Sequence, residues 1–221
     1  RLIRTGRPFI LLFGLLALWW LAALLIEALT GKGRFLLPTP DLVWAAFVEN
    51  PTYFIKGFRV TLIEVVFGLL LGAWLGLCLT IVIAVSKVVR FWLLPLLVIS
   101  QAIPVFALAP LLVQWLGWGL APKIAMTTLI LFFPVTMAFW SALRSVDRDL
   151  VDAGRVYGAE RWQLLWRVYL PLALPGGLNG LKAAAAIAPI GAFIGELVGG
   201  QQVGGAYGLG DVILRELKIN A

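Results

Sequence analysis

The chain has 221 residues, 62% of them hydrophobic and 13% charged, with a mean hydropathy of +0.98. Soluble domains average about 45–50% apolar and about 25% charged residues, so a soluble globular fold is excluded and lipid must solvate much of the surface. The formal charge of +7 does not point to nucleic acid, because no basic stripe is interleaved with base-stacking aromatics. Histidine, the commonest metal ligand and neutral-pH proton shuttle, is absent from the sequence. The single cysteine, Cys78, lies inside an apolar run and reads as a structural thiol.

A helix needs about 20 apolar residues to cross the hydrocarbon core. Five stretches reach that length, near Pro8–Leu29, Val60–Ser86, Phe91–Trp115, Pro122–Leu143 and Gly176–Val198. The runs are continuous rather than alternating, which predicts helices and excludes a transmembrane β-barrel. The expected fold is therefore an all-α polytopic helix bundle, a single transmembrane domain over residues 1–221. The first run follows Arg1, Arg4 and Arg7. It is too long for the apolar core of a signal peptide and lacks a small-residue cleavage site, so it is read as a retained span. In Thr39–Tyr53, Val43, Trp44, Phe47 and Val48 fall at helical spacing and predict a helix lying on the outer surface.

The second span carries Gly68, Gly72, Gly76, Thr80 and Ala84 at four-residue intervals. Small residues on one face let backbones approach closely in lipid, so a tight helix–helix seam is expected there. The third span carries Pro95, Pro104 and Pro110, the fourth Pro134 and the fifth Pro189. Mid-helix prolines bend helices, and bent spans can line a substrate path. Ser100, Gln101, Pro104 and Phe106 are candidates for that path, with a simple packing kink as the equal alternative. Glu27, Glu64 and Glu196 lie in or near spans, where an ionisable side chain is costly. Glu64 is expected to pair with nearby Arg59. Glu196, between Gly195 and Gly199, is a candidate for the path or its gate. A glycine-rich loop, Gly199–Gly210, and a short amphipathic helix, Asp211–Ala221, follow.

Loop charges orient the chain. With the N-terminus in the cytoplasm, Arg1, Arg4, Arg7, Lys87, Arg90, Arg144, Arg148, Arg155, Arg161, Arg167 and Lys182 lie inside. Lys32, Arg34, Lys56, Arg59, Lys123, Arg215 and Lys218 lie outside. Eleven against seven is a bias in the positive-inside direction.

Residues 144–174 form the longest polar segment and face the cytoplasm in this orientation. A first helix is expected at Asp149–Tyr157. Gly158 then breaks the chain, since glycine adopts the left-handed conformation that ends one helix before the next. Trp162, Leu165, Trp166 and Tyr169 form the expected apolar face of the second helix.

This loop resembles the signature loop of binding-protein-dependent ABC importer permeases. Their pattern is Glu-Ala-Ala, three residues, Gly, nine residues, Ile, one residue, Leu-Pro. Here Asp152-Ala153-Gly154 is followed after three residues by Gly158, then after nine by Val168, Tyr169, Leu170 and Pro171. Asp152 keeps the charge and Val168 the shape. Gly154 replaces the second alanine and costs the first helix up to about 1 kcal/mol. The second span, Ala102-Ile103-Pro104, Leu170–Pro175 and Gly195–Gly199 resemble the branch importing nitrate, sulfonates, taurine or thiamine pyrimidine precursors.

The resemblance implies the type I importer permease fold, six spans with a sixth beyond Ala221, and a bacterial inner-membrane location. It implies an assembly of two permease copies, two ATP-binding subunits and an external solute-binding protein. ATP and magnesium would belong to the partner ATPase, with no cofactor in this chain. Asp152, Ala153, Gly154, Gly158, Ala159, Glu160, Val168, Leu170 and Pro171 would carry the coupling. The sequence has no phosphate loop of its own, since Gly31-Lys32-Gly33 lacks the required context. The rivals are a passive channel or ion-driven carrier, which would show carboxylate rings or filter loops, and a membrane scaffold, against which the proline-broken spans argue. The apolar, aromatic spans favour a neutral or heterocyclic solute such as a vitamin precursor, with sulfonate or nitrate as alternatives.

Overall fold

The computed structural model describes residues 2–31, 36–199 and 207–213. The chain divides into two compact units, Arg1–Ile55 and Lys56–Ala221. In the first, α1 (Leu2–Thr30) includes a 22-residue apolar stretch from Phe9. From Phe9 onward most of its side chains are exposed and Ala23 is buried, as lipid contact requires. The Trp19 indole donates to the Pro38 carbonyl at 3.1 Å. α2 (Pro40–Glu49) starts on Pro40, whose missing N–H is no loss at a first helical position. None of its residues is buried, and Trp44 stacks on Phe47 at 5.9 Å. The expected surface helix over Thr39–Tyr53 thus ends earlier. Asn50 caps it, and the next helix starts at Pro51, nine residues before the expected Val60.

α3 (Pro51–Val85) leads into α4 (Lys87–Ser100), with Ser86 capping α4 by accepting the Val89 N–H at 3.3 Å. A 3₁₀ turn (Val105–Leu108) and α5 (Ala109–Leu116) follow, then α6 (Leu120–Arg144). α7 (Arg148–Val156), α8 (Arg161–Leu164) and a π-helical turn (Leu165–Tyr169) precede α9 (Leu170–Gly199). Residues 209–213 are helical.

The centre of the second unit is α6 packed on α9, with Leu131, Val135, Phe139, Ala184 and Ala188 buried between them. α3 lays its small-residue stripe on α6, as expected. A Cβ at Gly72 would sit 3.0 Å from the Leu131 Cβ, and one at Gly76 would sit 2.8 Å from the Val135 Cγ1. Glycine is required because no larger residue lets the two backbones come this close. The Thr80 hydroxyl is directed across the seam to the Thr136 carbonyl at 3.2 Å and back to Gly76 at 2.8 Å.

The expected continuous third span is broken. α4 and the Val105–Leu116 segment meet at 89°. Pro104 offers no N–H to continue a helix, and it pushes Ile103 out of the helical region. The Ser100 hydroxyl donates to the Leu97 carbonyl at 2.7 Å and the Gln101 N–H to Val98 at 3.1 Å, closing the helix end. Pro110 starts α5 instead of kinking a span. Pro95, Pro134 and Pro189 remain within helices. Among the described residues four helices are long and apolar enough to cross a membrane, or five if the bent pair is one span.

Candidate functional site

The loop between α6 and α9 is a folded hairpin. Asp147 opens α7 by accepting the Asp149 N–H at 3.0 Å. α7 closes with two backbone bonds: Gly158 N–H to the Arg155 carbonyl at 2.9 Å and Ala159 N–H to the Gly154 carbonyl at 3.0 Å. This pair is the Schellman arrangement, which needs a left-handed residue after the cap. Gly158 supplies it with φ +79°. Glu160 then begins α8, its N–H donating to the Gln163 side-chain oxygen at 3.0 Å.

The hairpin packs on the end of the α6–α9 pair. Val151 and Leu164 are buried with Ala142, Leu143, Val146 and Ala173, and Ala159, Val168, Tyr169 and Leu170 pack around them. Of the expected apolar face of the second helix, Leu165 is buried and Tyr169 packs against this cluster, whereas the two tryptophans do not. Trp162 and Trp166 are half-exposed and meet edge to face at 5.6 Å, while Leu164 and Leu165 are buried. The π-turn from Leu165 to Tyr169 adds a residue to its turn and rotates the face, which simple helical spacing does not foresee. The tip is the most open apolar part of the hairpin, with Val156 85% and Tyr157 90% exposed. A Cβ at Gly158 would meet nothing among the described residues within 4 Å. Asp152 pairs with Arg155 at 2.6 Å on the exposed surface.

Gly154 has a packing reason. A Cβ there would lie 2.6 Å from the Leu164 Cδ2, so a side chain would push the buried Leu164 tip from its place between α7 and α8. Gly154→Ala is therefore expected to destabilise the chain by about 1 kcal/mol despite alanine's better helix propensity. In a Leu164→Ala background the same change becomes neutral or stabilising. A double-mutant cycle by thermal unfolding in detergent reads this coupling.

Away from the hairpin, the first turn of α6 holds a buried polar cluster that the loop-charge reading misplaced. Glu64, Lys123 and Glu196 are 0% exposed and Asp211 is 3% exposed. The Lys123 ammonium lies 2.9 Å from Asp211 and 3.6 Å from Glu64. Lys123 is therefore an interior cation rather than a loop charge, and it replaces Arg59 as the expected partner of Glu64. Glu196 accepts from the Thr61 hydroxyl at 2.6 Å and from the Gly210 N–H. The Leu209 N–H donates to the Thr61 oxygen at 2.9 Å. Neither Glu64 oxygen meets a hydrogen-bond donor among the described residues. Gly208 and Gly210 approach the Glu196 carboxylate so closely that neither position has room for a Cβ. The remaining pathway candidates lie elsewhere: Gln101, Pro104 and Phe106 are exposed at the α4–α5 bend and Ser100 is half-buried there. The predicted helix at Asp211–Ala221 is seen to 213, its remainder lying outside the described residues along with 200–206 of the expected glycine-rich loop.

Long apolar helices, a seam of small residues and a helix–glycine–helix hairpin define a polytopic membrane protein. Residues 68–217 match the family described as binding-protein-dependent transport system inner membrane component, and the chain belongs to that family. It is 40% identical over 200 residues to a probable ABC transporter permease protein of Haemophilus influenzae, covering 90% of this chain and 80% of that one. A formylaminopyrimidine transport permease protein of Halalkalibacterium halodurans is 34% identical, with 88% of this chain and 76% of that one covered. A riboflavin transport system permease protein of Chloroflexus aurantiacus is 36% identical, with 90% and 72% covered. The chain is thus a multi-pass inner-membrane protein, the transmembrane subunit of an ABC importer that works with an ATPase and a binding protein.

Proposed function

We propose that two copies of this chain enclose the route of a small heterocyclic solute, with the N-terminus and the Asp152–Pro171 hairpin in the cytoplasm. ATP and magnesium act on the partner ATPase. The hairpin seats on that subunit and passes its motion into α6 and α9. The observation that carries this reading is the bare tip at Val156, Tyr157 and Gly158, an apolar surface on a water-exposed turn that its own chain leaves uncovered.

A groove of about 530 Å³ beside α9 supports the solute class. It is lined by Leu69, Pro175, Leu178, Leu181 and Ala185, with Asn179 and Lys182 as its polar groups. Apolar walls with one amide and one ammonium suit a flat ring bearing hydrogen-bond acceptors. The relatives named for formylaminopyrimidine and riboflavin transport support the same class. The exposed bend at Ser100, Gln101, Pro104 and Phe106 lines the route in this reading. Lys182 also favours an organic anion, and a relative named for aliphatic sulfonate transport supports that second reading.

The test is uptake into proteoliposomes containing the chain, its ATPase and its binding protein. ATP-dependent uptake of a labelled formylaminopyrimidine at least tenfold above that of an aliphatic sulfonate is expected. The reverse preference establishes the anion reading, and equal uptake of both without ATP rejects the importer.

A further inference from the structure

The buried polar cluster has no part in the coupling hairpin, yet it sits on the same two helices. Lys123 is in the first turn of α6 and Glu196 in the last turn of α9, while the hairpin joins their opposite ends. Residues 207–213 cover the cluster. They are held by three different helices: Thr61 of α3 binds the Leu209 N–H, Glu196 of α9 binds the Gly210 N–H, and Lys123 of α6 binds Asp211. A segment pinned this way reports the relative position of all three helices. Hydrogen bonds weaken steeply with misalignment, so a shift of about 1 Å between α6 and α9 unseats it.

The closed arrangement also has an internal reason to open. Among the described residues, Glu64 and Asp211 share the Lys123 ammonium, and Glu196 is buried near them. Glu64 is fully buried, with the Lys123 ammonium 3.6 Å from its Oε1 and no closer hydrogen-bond donor among the described residues. Such a group favours any conformation that admits water to it. The seat of the segment is shaped closely as well, because Gly208 and Gly210 fit against Glu196 only without side chains.

We infer that residues 207–213 are the lid of an outer gate, latched by Thr61, Lys123 and Glu196 and released when the hairpin shifts α6 against α9. The inference rests on the importer reading and its orientation, which place this end of the bundle outside. Lifting the lid hydrates Glu64 and Lys123 and opens the route to the binding protein. Reseating it closes the route behind the solute.

A reversible cross-link tests this. A Cβ at Gly57 would lie 3.2 Å from the Tyr207 carbonyl oxygen and 3.6 Å from the Val212 Cγ2, so positions 57 and 212 are neighbours that a thiol cross-link can join. In a Cys78→Ser background, Gly57→Cys with Val212→Cys is reconstituted with the ATPase and the binding protein. Oxidation is expected to reduce ATP-driven uptake at least tenfold, and reduction to restore it. Because the bridge preserves a contact of the closed state, a segment with only a structural role would transport equally well when bridged. Full uptake by the bridged protein overturns the lid. Val212→Cys alone gives a second reading, since Val212 is buried at rest. Its labelling by a membrane-impermeant maleimide should rise at least tenfold during turnover, and an unchanged rate also overturns the lid. If the Cys78→Ser parent shows no ATP-driven uptake, the importer reading falls and the lid with it. If the parent transports and bridging is harmless, the lid alone falls.

Discussion

Gly158→Asp is expected to abolish ATP-driven uptake, with a loss of at least a hundredfold, while the protein still inserts and purifies as a folded chain. The geometry separates two causes. At φ +79° any L-residue is strained by about 1–2 kcal/mol, too little to unfold a bundle anchored by α6 and α9. No atom of the described residues lies within 4 Å of the Cβ position, so the fold has room for a side chain. What the fold tolerates, a tightly seated partner does not. Gly158→Ala should therefore lose far less transport than Gly158→Asp, although alanine carries at least as much backbone strain at this left-handed position. Uptake by reconstituted complexes, with thermal unfolding as the control, checks both variants. Equal losses from the two would mean that backbone strain, not the partner's groove, is responsible.

Lys123→Met should have the largest effect on stability. The change removes the one cation that faces Glu64 and Asp211 among the described residues, both of them buried. Breaking a buried ion pair from one side costs about 3–5 kcal/mol, because it strands the remaining charge. A drop on the order of 10 °C in the unfolding midpoint is expected. Lys123→Met with Asp211→Asn should recover part of that loss, since one stranded charge is gone. Thermal unfolding in detergent of the single and double variants measures the recovery. A double variant as unstable as the sum of its parts would show that Lys123 and Asp211 do not depend on each other.

The span positions and the shape of the hairpin were readable locally. The apolar runs over Pro122–Leu143 and Gly176–Val198 fall within α6 and α9. Four-residue spacing from Gly68 to Gly76 predicts the seam, and Gly158 adopts the conformation that its place between two helices requires. Each of these signals lies within a few turns of chain. The misses have longer reach. Lys123 looked like a loop charge because its partner Asp211 lies 88 residues away. Glu64 was matched to Arg59 because Arg59 is near in sequence, whereas the facing helix supplies Lys123. Gly154 reads as a weakness of α7 in the sequence alone, because Leu164, which packs against it, lies on the next helix. The break at Pro104 was underread because a membrane helix can carry a proline inside, as α4 does at Pro95 and α6 at Pro134. Only the helix closure at Ser100 and Gln101 separates that case from a true break.

The coupling role of the Asp152–Pro171 hairpin is tested most directly by proximity. A single cysteine at Tyr157, in a Cys78→Ser chain assembled with its ATPase, is treated with a short bifunctional thiol reagent. The account predicts a cross-link to the ATPase whose yield changes between nucleotide-free and ATP-bound states. Failure to cross-link from Tyr157, in a complex that still hydrolyses ATP and imports solute, would contradict it.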